Sequence, residues 1–219
     1  MSAVYSKIPA LYKRDGDNPR SVLVGIYKDR HVEALANYPV WTVTEKLDGA
    51  NTRLHWNGTE VRVGSRRTWQ HQANIVDAIE AAHPHLEAMF EQNFEGDDVD
   101  VTVYGEAIGA GVQKGGAYGD KIRFVAFDVT VGGRYLKNRD ARDVVWQLGL
   151  DFVEARGRLV SVTDVWAEMS GGGDLPYSTY RERQPEGYVL RTVPEMYKAN
   201  GDRIMVKLTY RDLGQLVQP

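Results

Sequence analysis

The chain has 219 residues, 42% of them hydrophobic and 26% charged, which is ordinary for a globular protein and enough to bury a sizeable core. No apolar run approaches a membrane span, no signal-peptide core opens the chain, and cysteine is absent, which removes disulfides and thiolate metal sites and fits a cytoplasmic setting. With a formal net charge of -3, any phosphate-binding surface must be local, drawn from Arg62, Arg66 and Arg67, from Lys114, Lys121 and Arg123, or from Arg181, Arg183 and Arg191.

Residues 40–46, 50–56 and 60–64 alternate and are rich in β-branched and aromatic side chains, with Gly49 and Asn57–Gly58 as turns. They predict a meander of antiparallel strands. Between 72 and 94 the apolar residues Ile75, Val76, Ile79, Leu86, Met89 and Phe90 follow helical spacing, and Pro84 divides the stretch into two helices. The acidic run "EQNFEGDDVD", 91–100, predicts a solvated loop. Strands are expected at 99–106 and 121–130, then a helix capped by Asn138 or Asp140 to Leu148 and a short one capped by Thr163 to Met169. "SGGGD", 170–174, reads as a loop, and two last strands are expected at 186–192 and 203–209. Strands joined by hairpins outnumber helices, so the expectation is α+β, antiparallel β-sheets with flanking helices, in a single domain over 1–219.

Six segments carry residues that chemistry can use. "VTEKLDGANTRLHW", 43–56, sets Glu45, Lys46 and Asp48 beside a turn glycine, either a solvated hairpin tip or a nucleophilic lysine. Arg66–Arg67 is a solvated strand edge or an anion clamp. Tyr104–Gly105–Glu106 and Glu186–Gly187 put carboxylates at strand ends, Phe124, Phe127 and Asp128 join core aromatics to an acid, and Lys207 sits among apolar residues. "GAGVQKGG" is not a phosphate-binding P-loop, because its lysine precedes the final glycines and no Ser or Thr follows. His83–Pro84–His85 has no acid at ligand spacing and reads as surface histidines, and His31, His55 and His71 show no constellation.

The order of the segments is informative. "EKLDG", "GSRRT", "VYGE", "FVAFDV", "PEGYVLR" and "VKLT" resemble the six collinear motifs of the covalent nucleotidyltransferases, the DNA ligases, RNA ligases and mRNA-capping enzymes. The central block, 103–129, and "NGDRIMVKL", 200–208, are most similar to the phage RNA ligase 2 family, and the resemblance spans about 41–212. It implies the nucleotidyltransferase (ATP-grasp-like ligase) fold and a lysyl-AMP intermediate on Lys46. Lys207 is implied to assist catalysis and to hold the nucleotide with Glu45, Arg67, Glu106, Phe127 and Glu186. Glu106, Glu186 and Asp128 are implied around Mg2+ or Mn2+, and Asn51, Arg66, Lys114 and Arg191 at the nucleic acid. An amine attacks only when neutral and an ordinary lysine titrates near 10.4, so neighbouring cations, here Lys207 and Arg67, are the expected activators.

Two positions depart from the family. Thr209 stands where a second lysine usually follows the first, and Asp48 where this subfamily often has histidine. The sequence runs twelve residues past Lys207, and the expectation is a nucleotidyltransferase domain without a C-terminal OB or helical domain. The expectation is a monomeric ATP-dependent ligase of RNA ends, nicked duplex among them, with no membrane partner. A minimal DNA ligase acting on DNA ends is the runner-up, and a nucleotide- or RNA-binding domain that has lost sealing is the reading outside catalysis.

Overall fold

The computed structural model describes residues 4–94, 99–113, 118–171, 178–181, 184–214 and 216–217. In chain order the elements are β1 (Tyr12–Arg14), β2 (Val22–Tyr27), α1 (Arg30–Leu35), β3 (Trp41–Lys46), β4 (Ala50–Trp56), β5 (Val61–Ser65), α2 (Ala73–Ala82), α3 (Leu86–Asn93) and β6 (Val101–Ile108). Then come β7 (Arg123–Val131), β8 (Arg134–Tyr135), α4 (Asn138–Gln147), β9 (Asp151–Phe152), α5 (Val162–Gly171), β10 (Gly187–Thr192), β11 (Met205–Thr209), α6 (Tyr210–Leu213) and β12 (Leu216–Val217). The α+β class is as expected, and the long elements fall within a few residues of their predicted places. The chain divides into two compact units: Met1–Tyr5, Asp48–Val153 and Tyr180–Glu182 in one, and Ser6–Leu47, Glu154–Thr179 and Arg183–Pro219 in the other.

The first unit is built on an antiparallel sheet of order β5-β4-β6-β7-β8, with β9 added to β7 in parallel. β6 and β7 are nearly continuous apolar and β-branched runs because both their faces are covered. Helix α2 turns Ile75 and Ile79 inward and α3 does the same with Leu86 and Phe90, four residues apart on one face. Phe90 is fully buried and stacks on Trp56 with centroids 5.7 Å apart.

The second unit holds two three-stranded sheets, β11-β10-β3 and β1-β2-β12. Trp41, Val43, Tyr188, Leu190, Val206 and Leu208 from the first sheet share one core with Leu11, Val22, Val32, Val162 and Val165. β10 lies between β3 and β11, which explains why all six of its residues are buried.

The expected meander is corrected at its first turn. β4 and β5 do form a hairpin through Asn57–Gly58, with Gly58 at φ 97, but β3 pairs with β10 and not with β4. Between β3 and β4 stand Leu47, Asp48 and Gly49; Asp–Gly is a hairpin signal, but Leu47 is buried and β3 takes β10 as its partner instead. Two caps also differ. The N-cap of α4 is Lys137, without a side-chain bond, and at α5 it is Ser161 Oγ that accepts the Asp164 N–H at 3.0 Å. Strands β1 and β2 and helix α1 were not legible in the sequence, being short and weakly periodic. The "SGGGD" loop lies outside the described residues from 172 onward, as does 95–98 of the acidic run.

Gly49 is fixed by close approach: a Cβ there would stand 2.1 Å from the Ala107 carbonyl oxygen and 2.9 Å from Ile108 Cγ2. Gly49→Ala is therefore expected to push β4 off β6, at roughly 1–3 kcal/mol, the usual range for overpacking. Chemical denaturation of the variant against the parent measures it, and equal midpoints would remove the steric role.

Candidate active site

In the second unit, Lys46 closes β3 directly opposite Gly187, and Gly187 lies opposite Thr209 on its other side. Glu186 immediately precedes β10, so the register delivers its carboxylate to the Lys46 ammonium, and the two form an ion pair. Both side chains keep solvent access, at 24% and 31% exposure. Lys207 projects from β11, where its backbone N–H donates to the Pro9 carbonyl at 2.9 Å. Burial pushes the Lys207 pKa below its usual value, the Lys46 charge pushes it further, and Glu186 opposes. Two lysines and one glutamate thus share a small volume, the arrangement expected around a phosphate.

Glu45 points at the residues after α5: it accepts from the Ser178 hydroxyl and, at 3.2 Å, from the Thr179 N–H. Thr209 is the N-cap of α6, accepting from the Asp212 N–H and donating to Asp212 Oδ2 at 2.8 Å. Its hydroxyl is doing a helix cap's work where the family has a cation. Arg14 holds the other carboxylate oxygen of Asp212 in an ion pair.

In the first unit, Asn51 on β4 faces Glu106 on β6 as a cross-strand pair. Asn51 Oδ1 is buried without a hydrogen-bond partner among the described residues, an acceptor that a ligand hydroxyl or ammonium would satisfy. The register between β6 and β7 slips between Tyr104 and Gly105, whose partners are Asp128 and Ala126. Phe127 is the extra residue of this bulge, a device that re-aims a side chain. Phe124, by contrast, is core, packed where Gly105 has no Cβ.

Tyr5 organises this corner, and nothing in its sequence surroundings announced it. It is 5% exposed, donates its hydroxyl to Asp128 Oδ2 at 2.8 Å, and sets its ring edge-on to Phe127 with centroids 5.0 Å apart. Arg66 fastens it, donating from Nε at 3.2 Å and Nη2 at 3.1 Å to the Tyr5 carbonyl. Arg67 is exposed. Tyr118 was also missed: its hydroxyl accepts the Asp48 N–H at 2.9 Å and its ring lies 5.1 Å from Arg181 Cζ.

The structure therefore brings Lys46, Glu186 and Lys207 together, pairs Asn51 with Glu106, and links Phe127, Asp128 and Arg66 through Tyr5. Arg191 is corrected as a nucleic-acid contact, because at 2% exposure its guanidinium is shut inside the second unit. Asp128, fully buried and held by Tyr5, does not present itself to an ion. Lys114 lies outside the described residues. No group of three or more His, Cys, Asp or Glu side chains that would cage a metal occurs among the described residues. Glu106 and Glu186, both partly exposed, suit an ion that takes one carboxylate and completes its shell with water and phosphate, as Mg2+ does.

The model of a family described as RNA ligase matches residues 39–209. No curated protein matches the chain. Among solved structures, one of a mutant Naegleria gruberi RNA ligase with ATP and Mn superposes with a TM-score of 0.64 at 17% identity, covering 93% of this chain and 55% of that one. The Naegleria gruberi RNA ligase with PPi gives 0.60 at 17% identity, covering 95% and 59%. A further mutant with ATP and Mn gives 0.61 at 18% identity, covering 82% and 52%. At these identities the likeness shows the fold, and the chain spans little more than half the length of these proteins.

Two outcomes follow from the geometry. Tyr5→Phe removes a donor from a buried carboxylate and is expected to cost about 1–3 kcal/mol, read from urea unfolding; no loss would mean that water replaces the hydroxyl. Lys207 titrates lower in the folded chain than in the unfolded one, so between its lowered folded value and the unfolded 10.5 the unfolded chain binds the extra proton. Stability contributed by this group therefore rises with pH through that window. Lys207→Met is expected to flatten the rise in a pH series of unfolding curves, and an unchanged slope would contradict it.

Proposed function

We propose, from the premise that this chain belongs to the RNA ligase family, that it joins RNA ends with ATP through an adenylate carried on Lys46. The observation that carries the reading is the grouping of Lys46 with Glu186 and Lys207 on three paired strands. The Lys46 amine attacks the α-phosphorus of ATP: an N–P bond forms, the P–O bond to the β-phosphate breaks, and pyrophosphate leaves. Glu186, already paired with Lys46, is placed to take the amine proton on Oε2. Lys207 neutralises charge on the transferring phosphate, and its burial makes that charge count for more than at the surface. A bound Mg2+ or Mn2+ would add Lewis-acid neutralisation of the phosphates; Glu186 in the second unit and Glu106 in the first are each a partly exposed carboxylate suited to such an ion.

AMP then passes to the 5′-phosphate of an RNA end, and a 3′-hydroxyl attacks that phosphate with AMP leaving. Phe127, re-aimed by its bulge and braced by Tyr5, is the ring proposed to stack on adenine. Asn51, with its unsatisfied Oδ1, and exposed Arg67 are the proposed contacts to ribose and the incoming end. Glu45 reads adenine in this proposal only if it releases Ser178 and Thr179. Both units are read as one nucleotidyltransferase domain, since the family match takes in stretches of each.

Intact-mass measurement after incubation with ATP and Mg2+ or Mn2+ tests the first step. One AMP on the parent is expected, mapped to Lys46 and absent from Lys46→Arg, since a guanidinium does not deprotonate to a nucleophile. Glu106→Ala and Glu186→Ala are expected to lose most of the adduct with melting temperatures close to the parent's. An adduct on another residue, or none with either metal, would overturn the reading. Nicked RNA and nicked DNA offered to the adenylated protein then decide the nucleic acid.

A further inference from the structure

A second feature of the first unit lies outside the groups used above. Trp69 follows β5 in the sequence "GSRRTWQHQAN" and is 40% exposed. The other face of its indole is occupied: the Arg53 guanidinium sits 3.8 Å from the ring centroid. Arg53 on β4 is paired across strands with Gly64 on β5, and a Cβ on Gly64 would stand 2.8 Å from Trp69 Cε3. The indole therefore lies over the one site in the pair where no side chain rises. His55, two residues along the same face of β4, packs beside it at 5.0 Å, itself 3.3 Å from Asp100.

Arg53 is only 3% exposed, and its Nε has no hydrogen-bond partner among the described residues. A buried guanidinium is costly unless something compensates it, and here the ring does so from above. The result is a large flat aromatic surface, fixed from below and open on top. Residues 61–76 contain three arginines and no acid; Arg62 is ion-paired with Glu60, Arg66 is bound to the Tyr5 carbonyl, and Asp100 lies against His55. Arg67, two residues before Trp69, is exposed. Asn51 lies two residues from Arg53 along β4, about 7 Å at strand rise, so a strand bound at the Asn51–Glu106 pair comes close to the indole.

We propose that the outer face of Trp69 is a stacking platform for an unpaired nucleobase of the RNA, with exposed Arg67 beside it neutralising an adjoining phosphate. This rests on the RNA-joining reading for the identity of the strand. An aromatic plane amid cations is how single-stranded nucleic acid is held without sequence preference.

The test uses the full chain and a labelled single-stranded RNA oligonucleotide, with anisotropy followed across a salt series. Trp69→Ala is expected to weaken binding roughly 5- to 150-fold, the range for losing one stacked base. The slope of log affinity against log salt is expected to stay the same, because no phosphate contact is lost. Trp69→Phe is expected to retain most of the affinity while losing the quenching of tryptophan emission that RNA produces in the parent. That second variant keeps the test sound if alanine loosens the fold. Affinity of Trp69→Ala within about twofold of the parent, or quenching that survives in Trp69→Phe, would overturn the proposal. AMP loading of the same variants separates the two readings: normal loading with Trp69-independent RNA binding sinks the platform alone. A parent that neither loads AMP nor binds RNA sinks both.

Discussion

The candidate chemistry of the second unit hangs on one backbone constraint, the close seating of Gly187 between β3 and β11. A Cβ at Gly187 would stand 2.0 Å from the Leu208 carbonyl oxygen and 2.7 Å from Thr209 Cα. Only glycine lets β10 approach β11 so closely, and the same residue is the cross-strand partner of Lys46. One missing methyl group thus sets the spacing of three strands at the point where each delivers a charged side chain. Glu186 comes before the glycine, Lys46 opposite it, and Lys207 two residues before Thr209 on the far strand. A slip of one residue in either ladder would turn a charge to the wrong face, because side chains alternate.

That placement is unfavourable for folding taken alone. Lys207 loses hydration and lies near Lys46 and Lys7, and the Glu186 and Asp212 carboxylates oppose this. A protein selected only for stability would put an apolar residue in β11, as Met205, Val206 and Leu208 show on either side. The cost is understandable if a phosphate completes the set, since a multiply charged anion turns the repulsion between the lysines into shared attraction. The same logic makes the Thr209 substitution tolerable. With a helix cap in place of a cation, α6 is anchored through Asp212 and Arg14, and the burden of buried positive charge is smaller.

Much of this was legible in the sequence. Period-two alternation found β3, β4 and β5, the last two strands were expected at 186–192 and 203–209, and the Pro84 break separated α2 from α3. The collinear motifs singled out Lys46, Glu106, Glu186 and Lys207 through their resemblance to a known family, and the structure groups Lys46, Glu186 and Lys207. Pairing was not legible, because β3 and β10 are about 140 residues apart and a local pattern carries no information on partners. Tyr5 was hidden for a related reason. Its contacts, Asp128 and Phe127, are more than 120 residues away, and the tyrosine precedes any periodic segment. Arg191 misled because a basic residue at the end of "PEGYVLR" looks exposed until β3 and β11 are seen to flank its strand.

Strand β4 carries four of the buried side-chain polar atoms that lack hydrogen-bond geometry among the described residues, Trp56 Nε1 on its core face and three on the other. Asn51, Arg53 and His55 share a face of β4, and each has a buried side-chain polar atom outside hydrogen-bond geometry with any described residue. Native structures tolerate few such groups. Three in alternate positions on one strand mark a face whose polar groups are not arranged for the folded chain alone. Asn51 stands beside Glu106, and Arg53 lies beneath Trp69. Neighbouring positions that pack for stability look different: Thr52, facing the other way, is fully buried and donates to the Ala50 carbonyl at 2.9 Å, and Leu54 is fully buried core. The strand thus separates two tasks by its pleat. One face holds Thr52, Leu54 and Trp56 against the core, and the other carries Asn51, Arg53 and His55, the polar capacity on which the proposed RNA contacts draw.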